Sequence, residues 1–232
     1  MIEKSLKERV YSPYSEKDSE WCVVLGSSGT AYPGVRVENI SFPLTITSIH
    51  GAICSCLANG DRPVAYVAGP EHLEMAGYWT EQFSLDKLDK VLSSAPIYDP
   101  LLPLSIDTES ELEKLSHQAV IPHSDFPVAA LLKTDDGFVP GVNVELDSWA
   151  LGLCAERVAL FRAISHGITE FSDILVAAPK GDFNSPCGAC RQVLMEWMPR
   201  GRINLHHGDN SHSTHNIKDL LPYAFSSRNL SL

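Results

Sequence analysis

The chain lacks any apolar run that approaches the roughly 20 residues needed to cross a bilayer. Its opening residues, MIEKSLKERVYSPYSEK, lack the apolar core that marks a secretory signal. A cytosolic location without a membrane partner is therefore the expectation. It also lacks a dense cluster of basic residues. Eighteen Lys and Arg stand against 29 Asp and Glu, for a formal net charge of −11. Nucleic-acid binding normally leaves a basic footprint, so a phosphate backbone is not the expected partner and a small, weakly charged ligand fits better. Cysteine is sparse as well. Six in 232 residues suggest free thiols or metal ligands rather than a disulfide framework.

What the sequence does contain is a repeat. PGVRVE at 33–38 answers PGVNVE at 140–145, and LLPLSI at 101–106 answers LLPYAF at 220–225. One unit of about a hundred residues, a normal size for a domain, is written twice. The expected division is 1–106 and 107–232. At the join, DTESELEK reads as a helix start, with Thr108 and Glu111 spaced as a capping box. Each copy opens on an apolar strand (Trp21 to Leu25; Val128 to Leu132), turns into a second strand, and continues into a nearly all-apolar helix closed by Gly60 or Gly167. In the second copy, SDILVAAP then reads as a strand and CGACRQVLMEWM as a helix. Strand–strand–helix–strand–helix predicts the α/β class: in each domain a mixed β-sheet with helices packed on its faces, an α/β/α sandwich.

The copies differ where chemistry is at stake. The second has Cys154 and Glu156 at the start of its buried helix, and Cys187 and Cys190 at the start of the next. The first has Thr47, Ser48 and Ile49 opposite Cys154–Glu156 and nothing like the PCGAC loop, so only the second half is expected to be active. Helix N-termini favour thiolates, and thiolates bind zinc tetrahedrally. Three protein ligands leave one position for water, whose pKa falls to about 7 on the metal. A fourth ligand would close the site, and His206 and His207 are the distant candidates. Glu156, two positions past Cys154, is placed to act as general base and then general acid. A redox role for the Cys-x-x-Cys pair leaves Cys154 and Glu156 without a purpose.

GVNVELDSWALGLCAERVALFRAISHG, SPCGACRQVLMEW and DLLPYAF together resemble the cytidine deaminase family, over nearly all of 114–232 and more weakly over 10–106. Cys-x-Glu followed by Pro-Cys-x-x-Cys is the signature of zinc nucleoside and nucleobase deaminases. The resemblance implies one Zn²⁺ per chain on Cys154, Cys187 and Cys190, with Glu156 as proton shuttle. Asn143 and Glu145 match residues that hold the ribose, and Phe126 an aromatic lining the base pocket. Phe225 matches an aromatic supplied across a subunit boundary, and Arg157 an arginine beside the zinc thiolates, which Arg191 also neighbours. The implied reaction is hydrolytic deamination of cytidine and 2′-deoxycytidine in pyrimidine salvage, with a zinc-activated water attacking C4. The implied assembly is a homodimer whose four domains imitate a tetramer, the first domain serving as scaffold. A deaminase of another aminopyrimidine nucleoside, such as a nucleoside antibiotic, is the nearest alternative, because Asp147, Ser148 and Trp149 depart from the family pattern. A non-catalytic, zinc-stabilised binding module is the alternative of a different class.

Overall fold

The structure is a computed structural model and describes residues 2–14, 19–69, 73–90 and 94–226. It contains two sheets, one in each half. In the first, β1 (Trp21–Gly26) pairs antiparallel with both β2 (Ala31–Val35) and β3 (Pro63–Ala68), and β4 (Asp86–Lys87) runs parallel to β3. In the second, β5 (Ala129–Lys133) pairs antiparallel with β6 (Phe138–Val142) and β7 (Asp173–Ala177). There β8 (Arg202–His206) runs parallel to β7, and β9 (His212–Asn216) closes the edge antiparallel to β8. The orders are β2-β1-β3-β4 and β6-β5-β7-β8-β9. The expected mixed sheet is thus present in both halves, the first ending in a short two-residue strand.

The helices are α1 (Ile2–Arg9), α2 (Ser48–Leu57), α3 (Ala76–Phe83), α4 (Thr108–Ser116), α5 (Ala155–Ser165), α6 (Gly188–Trp197) and α7 (Ile217–Leu220). Helix α2 lies on β1 and β2, and α5 lies on β5 and β6. Ala129 through Leu132 of β5 are all fully buried. Successive strand residues point to opposite faces, so both faces of this strand are covered, by α5 and by α4. Gly60 and Gly167 close α2 and α5 at φ +69° and +82°, the left-handed conformation that glycine adopts freely. The cap of α4 differs from the expected one. Asp107, not Thr108, is its N-cap, accepting from the N–H groups of Glu109 and Ser110, because a carboxylate one residue earlier reaches both donors.

Every residue of α5 is buried, as its apolar sequence implies. It packs against α2, and this pair joins the halves. Arg162, in the middle of α5, is a charge inside that joint. Its Nη1 donates to Pro140 O at 2.8 Å, its Nη2 to Ser55 O at 2.8 Å and its Nε to Ser55 Oγ at 3.1 Å. Tyr98 lies under the guanidinium, 5.0 Å away. Three donated bonds and an aromatic face replace the water this cation has lost. Cys22, Cys54 and Cys56 of the first half are buried free thiols, filling the small-hydrophobe role their sequence positions suggest.

Candidate active site

Two helix starts build the site. Cys154 is the N-cap of α5, Cys187 is the N-cap of α6, and Cys190 sits one turn into α6. Arg191 fixes the loop before α6: its Nε donates to Pro186 O at 2.8 Å and its Nη2 to Ser185 Oγ at 2.7 Å. The Sγ atoms of Cys154 and Cys187 lie 3.6 Å apart, and all three sulfurs lie within 4.8 Å of one another. Zn–S bonds of about 2.3 Å set tetrahedral sulfurs roughly 3.8 Å apart, so this cluster fits zinc.

The protonation pattern fits as well. The thiol of Cys154, then that of Cys190, and then backbone N–H groups at Cys190 and Ala189 hydrogen-bond Cys187 and hold its pKa far below the usual thiol value. Cys154 and Cys190 are pushed up, first by that sharing and then by burial. Three sulfurs this close share hydrogen bonds and oppose the build-up of negative charge on all of them. A divalent cation supplies the missing charge. Among the described residues no fourth ligand joins the three. His207 is engaged by Asn184 N–H and by Ser213 Oγ, and His206 lies against His212 with the two rings tilted.

A cavity of about 260 Å³ opens beside the sulfurs, and Cys154, Cys187, Glu156, Asn143 and Phe126 all line it. Glu156 is only 4% exposed, and burial, the largest influence on it, raises its pKa. A carboxyl so placed takes up and releases a proton closer to neutral pH than a solvated one does. Asn143 braces the wall: Oδ1 accepts from Val128 N–H at 2.8 Å and Nδ2 donates to Phe126 O at 3.0 Å. Each amide atom keeps one further bonding position. Glu145 lies nearby, accepting from the N–H groups of His123 at 2.9 Å and Ser124 at 3.1 Å, and from Ser124 Oγ. Burial works against its charge, but these three donors outweigh it and hold its pKa below the ordinary value.

Arg157 is where the structure departs most from the sequence-level role. It turns toward the other half, and its Nη2 donates to Leu44 O at 3.0 Å. Phe225 lies near the end of the described chain, half-exposed and outside the cavity lining. Phe183 and Asn184 line the cavity although the sequence did not single them out. Phe183 stacks on His207 at 4.7 Å, and Asn184 is buried, with its N–H on His207 Nδ1 and its Nδ2 on Ala178 O. Their position directly before the SPCGAC loop was the available signal.

The first half has lost this constellation. Arg36 stands at the position of Asn143, and its guanidinium bonds Glu38 at 2.8 Å and Glu74 at 2.6 Å. Glu38 also accepts from Ser12 Oγ at 2.6 Å. The carboxylate that answers Glu145 is thus held in an ion pair by the very residue that replaces Asn143.

The profile of the cytidine and deoxycytidylate deaminase zinc-binding region matches residues 108–203, which include all three cysteines and Glu156. A cytidine deaminase of Sporosarcina psychrophila is 42% identical over 127 residues, covering 53% of this chain and 91% of that protein. The chain belongs to the cytidine deaminase family. A second relative, the cytidine deaminase of Halalkalibacterium halodurans, is 39% identical over 114 residues, 48% of this chain and 86% of its own length. Among solved structures, a cytidine deaminase from Burkholderia pseudomallei is 38% identical, covers 50% of this chain and 94% of its own, and aligns with a TM-score of 0.47. The family profile names a zinc-binding region, and Cys154, Cys187 and Cys190, all inside it, form a cluster that could hold such an ion. No helix among the described residues is long and apolar enough to cross a membrane.

Proposed function

We propose that this chain is a zinc-dependent cytidine deaminase that converts cytidine and 2′-deoxycytidine to uridine and 2′-deoxyuridine with release of ammonia. Residues 107–232 form the catalytic domain, and 1–106 a scaffold. One observation carries the reading: a buried carboxyl, Glu156, shares a cavity of nucleobase size with two of three clustered thiols. Cys154, Cys187 and Cys190 would hold the Zn²⁺, which when bound would supply the Lewis acid that makes a water nucleophilic near neutral pH.

The chain's own residues do the rest. Glu156 takes one proton from that water and passes it to the ring nitrogen of the pyrimidine. It then takes the remaining proton from the hydroxyl added at C4 and delivers it to the departing amine, as that oxygen becomes the carbonyl. The C4–N bond breaks, and ammonia leaves. Phe126 and Phe183 wall the base, while Asn143 and Glu145 supply amide and carboxylate partners for sugar hydroxyls. Such polar contacts discriminate strongly, because a substrate lacking the hydroxyl leaves them unpaired. Arg191 holds the cysteine loop in place. We further read the protein as a homodimer in which Phe225 covers a neighbour's site. Phe42 and Trp149, in equivalent short turns of the two halves, support this, because they are 75% and 77% exposed and suit burial between copies.

The test is ammonia release from cytidine by zinc-loaded protein, with Glu156→Gln assayed beside it. Removing a general acid–base typically costs 10²–10⁴-fold, so a loss of about 10³-fold at unchanged zinc content is expected. Equal activity of the two proteins would remove Glu156 from the mechanism. No release from wild type, with zinc bound, would exclude cytidine as the substrate.

A further inference from the structure

Strand β8 ends on His206 and β9 begins on His212, and the two residues are direct partners across the antiparallel ladder. Such partners project to the same face. Their imidazole centroids are 4.2 Å apart and the rings are tilted by 42°. Glu109, from the first turn of α4, approaches the same point, its Oε1 3.9 Å from His212 Nε2. One ligand atom from each of the three side chains lies within 4.8 Å of the other two. Bonds of about 2.0–2.2 Å to a tetrahedral ion put neighbouring donors roughly 3.3 Å apart. A small rotamer adjustment therefore closes the three around one ion. The 3.9 Å gap exceeds a direct hydrogen bond, so carboxylate and imidazole converge without satisfying each other.

We propose that Glu109, His206 and His212 form a second metal site, separate from the cysteine cluster, that takes a divalent first-row transition ion such as Zn²⁺. Two nitrogens and one oxygen suit zinc, nickel or copper, whereas magnesium and calcium prefer all-oxygen shells. Glu109 and His212 are exposed, which leaves the remaining coordination positions to water. The surroundings favour a cation, because Asp107 and Glu113 line the same cavity of about 490 Å³. Asp107 caps α4 and His207 is held by Asn184 and Ser213, so both are neighbours rather than ligands.

The site joins the start of α4, where the second half begins, to the β8–β9 turn. His207 stands on that turn, beneath Phe183 and Asn184 of the catalytic cavity. Its ion therefore acts on the structure of the cavity wall and not on the reacting atoms.

The test uses the full-length protein with its cysteine site loaded, titrated with Zn²⁺ and then assayed for bound metal. Wild type takes two ions per chain, and His212→Ala takes one. Glu109→Gln keeps the shape and loses the charge, weakening the second binding event by about tenfold or more. Repeating the loading with Co²⁺ separates the sites, because only the cysteine cluster gives sulfur-to-metal charge-transfer bands. His212→Ala keeps those bands and lacks the second cobalt. A single ion in wild type overturns the proposal, and so do two ions bound equally by all three proteins. Retention of the charge-transfer bands shows that each variant is folded around its cysteine site. If His212→Ala fails to fold, Glu109→Gln, on a different element, gives the same reading.

Discussion

His50 and Arg157 occupy the same position in the two repeats, and each donates to the carbonyl of the residue that answers the other's partner. His50 Nε2 reaches Leu151 O at 2.7 Å, and Arg157 Nη2 reaches Leu44 O at 3.0 Å. Leu44 and Leu151 end equivalent short turns, Phe42–Leu44 and Trp149–Leu151. Between them Arg162 grips Ser55, which lies 107 residues earlier and is its own counterpart. The two halves thus meet about an approximate twofold axis through α2 and α5, as two copies of one subunit would. Arg157 serves that joint while its neighbours Cys154 and Glu156 face the cavity, so the joint and the site share one helix start.

The joint is sensitive to acid. Burial, the largest influence, lowers the pKa of His50 from 6.5 to about 4; its bond to Leu151 O opposes this and the charge of Arg157 adds to it. The unfolded chain binds a proton here below about pH 6.5, and the folded chain only below about pH 4. Between those values the unfolded state holds more protons, so stability falls as pH falls. Above the window the imidazole is neutral in both states and contributes no slope. The full difference is on the order of 3 kcal/mol. Urea midpoints of wild type should drop between pH 6.5 and 4 more steeply than those of His50→Gln. Parallel curves for the two proteins would show that His50 does not titrate in this window.

Backbone crowding at the catalytic helix gives a second expectation. A Cβ added to Gly141 would lie 2.2 Å from Ala155 O, and one added to Gly34 would lie 2.2 Å from Ser48 O. The glycine of each PGV strand lets its helix rest directly on the sheet. Either substitution to alanine must move backbone, and overpacking of this kind costs about 1–3 kcal/mol. Only Gly141→Ala displaces the residue between Cys154 and Glu156. It should lower zinc retention and ammonia release together, whereas Gly34→Ala should lower the urea midpoint and leave both intact. Equal loss of activity from the two would show that the first half does more than hold the second in place.

How much of this was legible in the sequence follows from range. The repeat, the buried helices and the Cys-x-Glu and Pro-Cys-x-x-Cys motifs are local patterns of residue type, and each lands where its pattern implies. The glycines that end α2 and α5 are equally local. Arg157 and Arg162 are not. On a helix read alone they look like solvated charges, and only the packing of α2 on α5 supplies the carbonyls that satisfy them. The same applies to Phe183 and Asn184, whose shared partner His207 follows the end of β8, more than twenty residues further along the chain. The cap of α4 was missed for a smaller reason: Asp107 and Thr108 are both good N-caps, and one residue of register decides between them.

Arg162 allows the joint itself to be measured. Its substitution by methionine fills much of the same volume but leaves the carbonyls of Ser55 and Pro140 without donors in a buried site. Each unsatisfied buried acceptor costs about 1–3 kcal/mol, and the stacked face of Tyr98 loses its cation. The ammonium of a lysine is a point donor and cannot reproduce a planar fork aimed at two carbonyls. Arg162→Met should therefore lose about 3 kcal/mol or more in urea unfolding, with Arg162→Lys recovering only part of it. Cys154 and Glu156 lie at the other end of α5 and the other two cysteines on α6, so zinc held by the cysteine cluster should stay near one ion per folded chain. Should Arg162→Met unfold at the wild-type midpoint, the buried guanidinium contributes no net stability, and apolar packing of α2 against α5 holds the halves together alone.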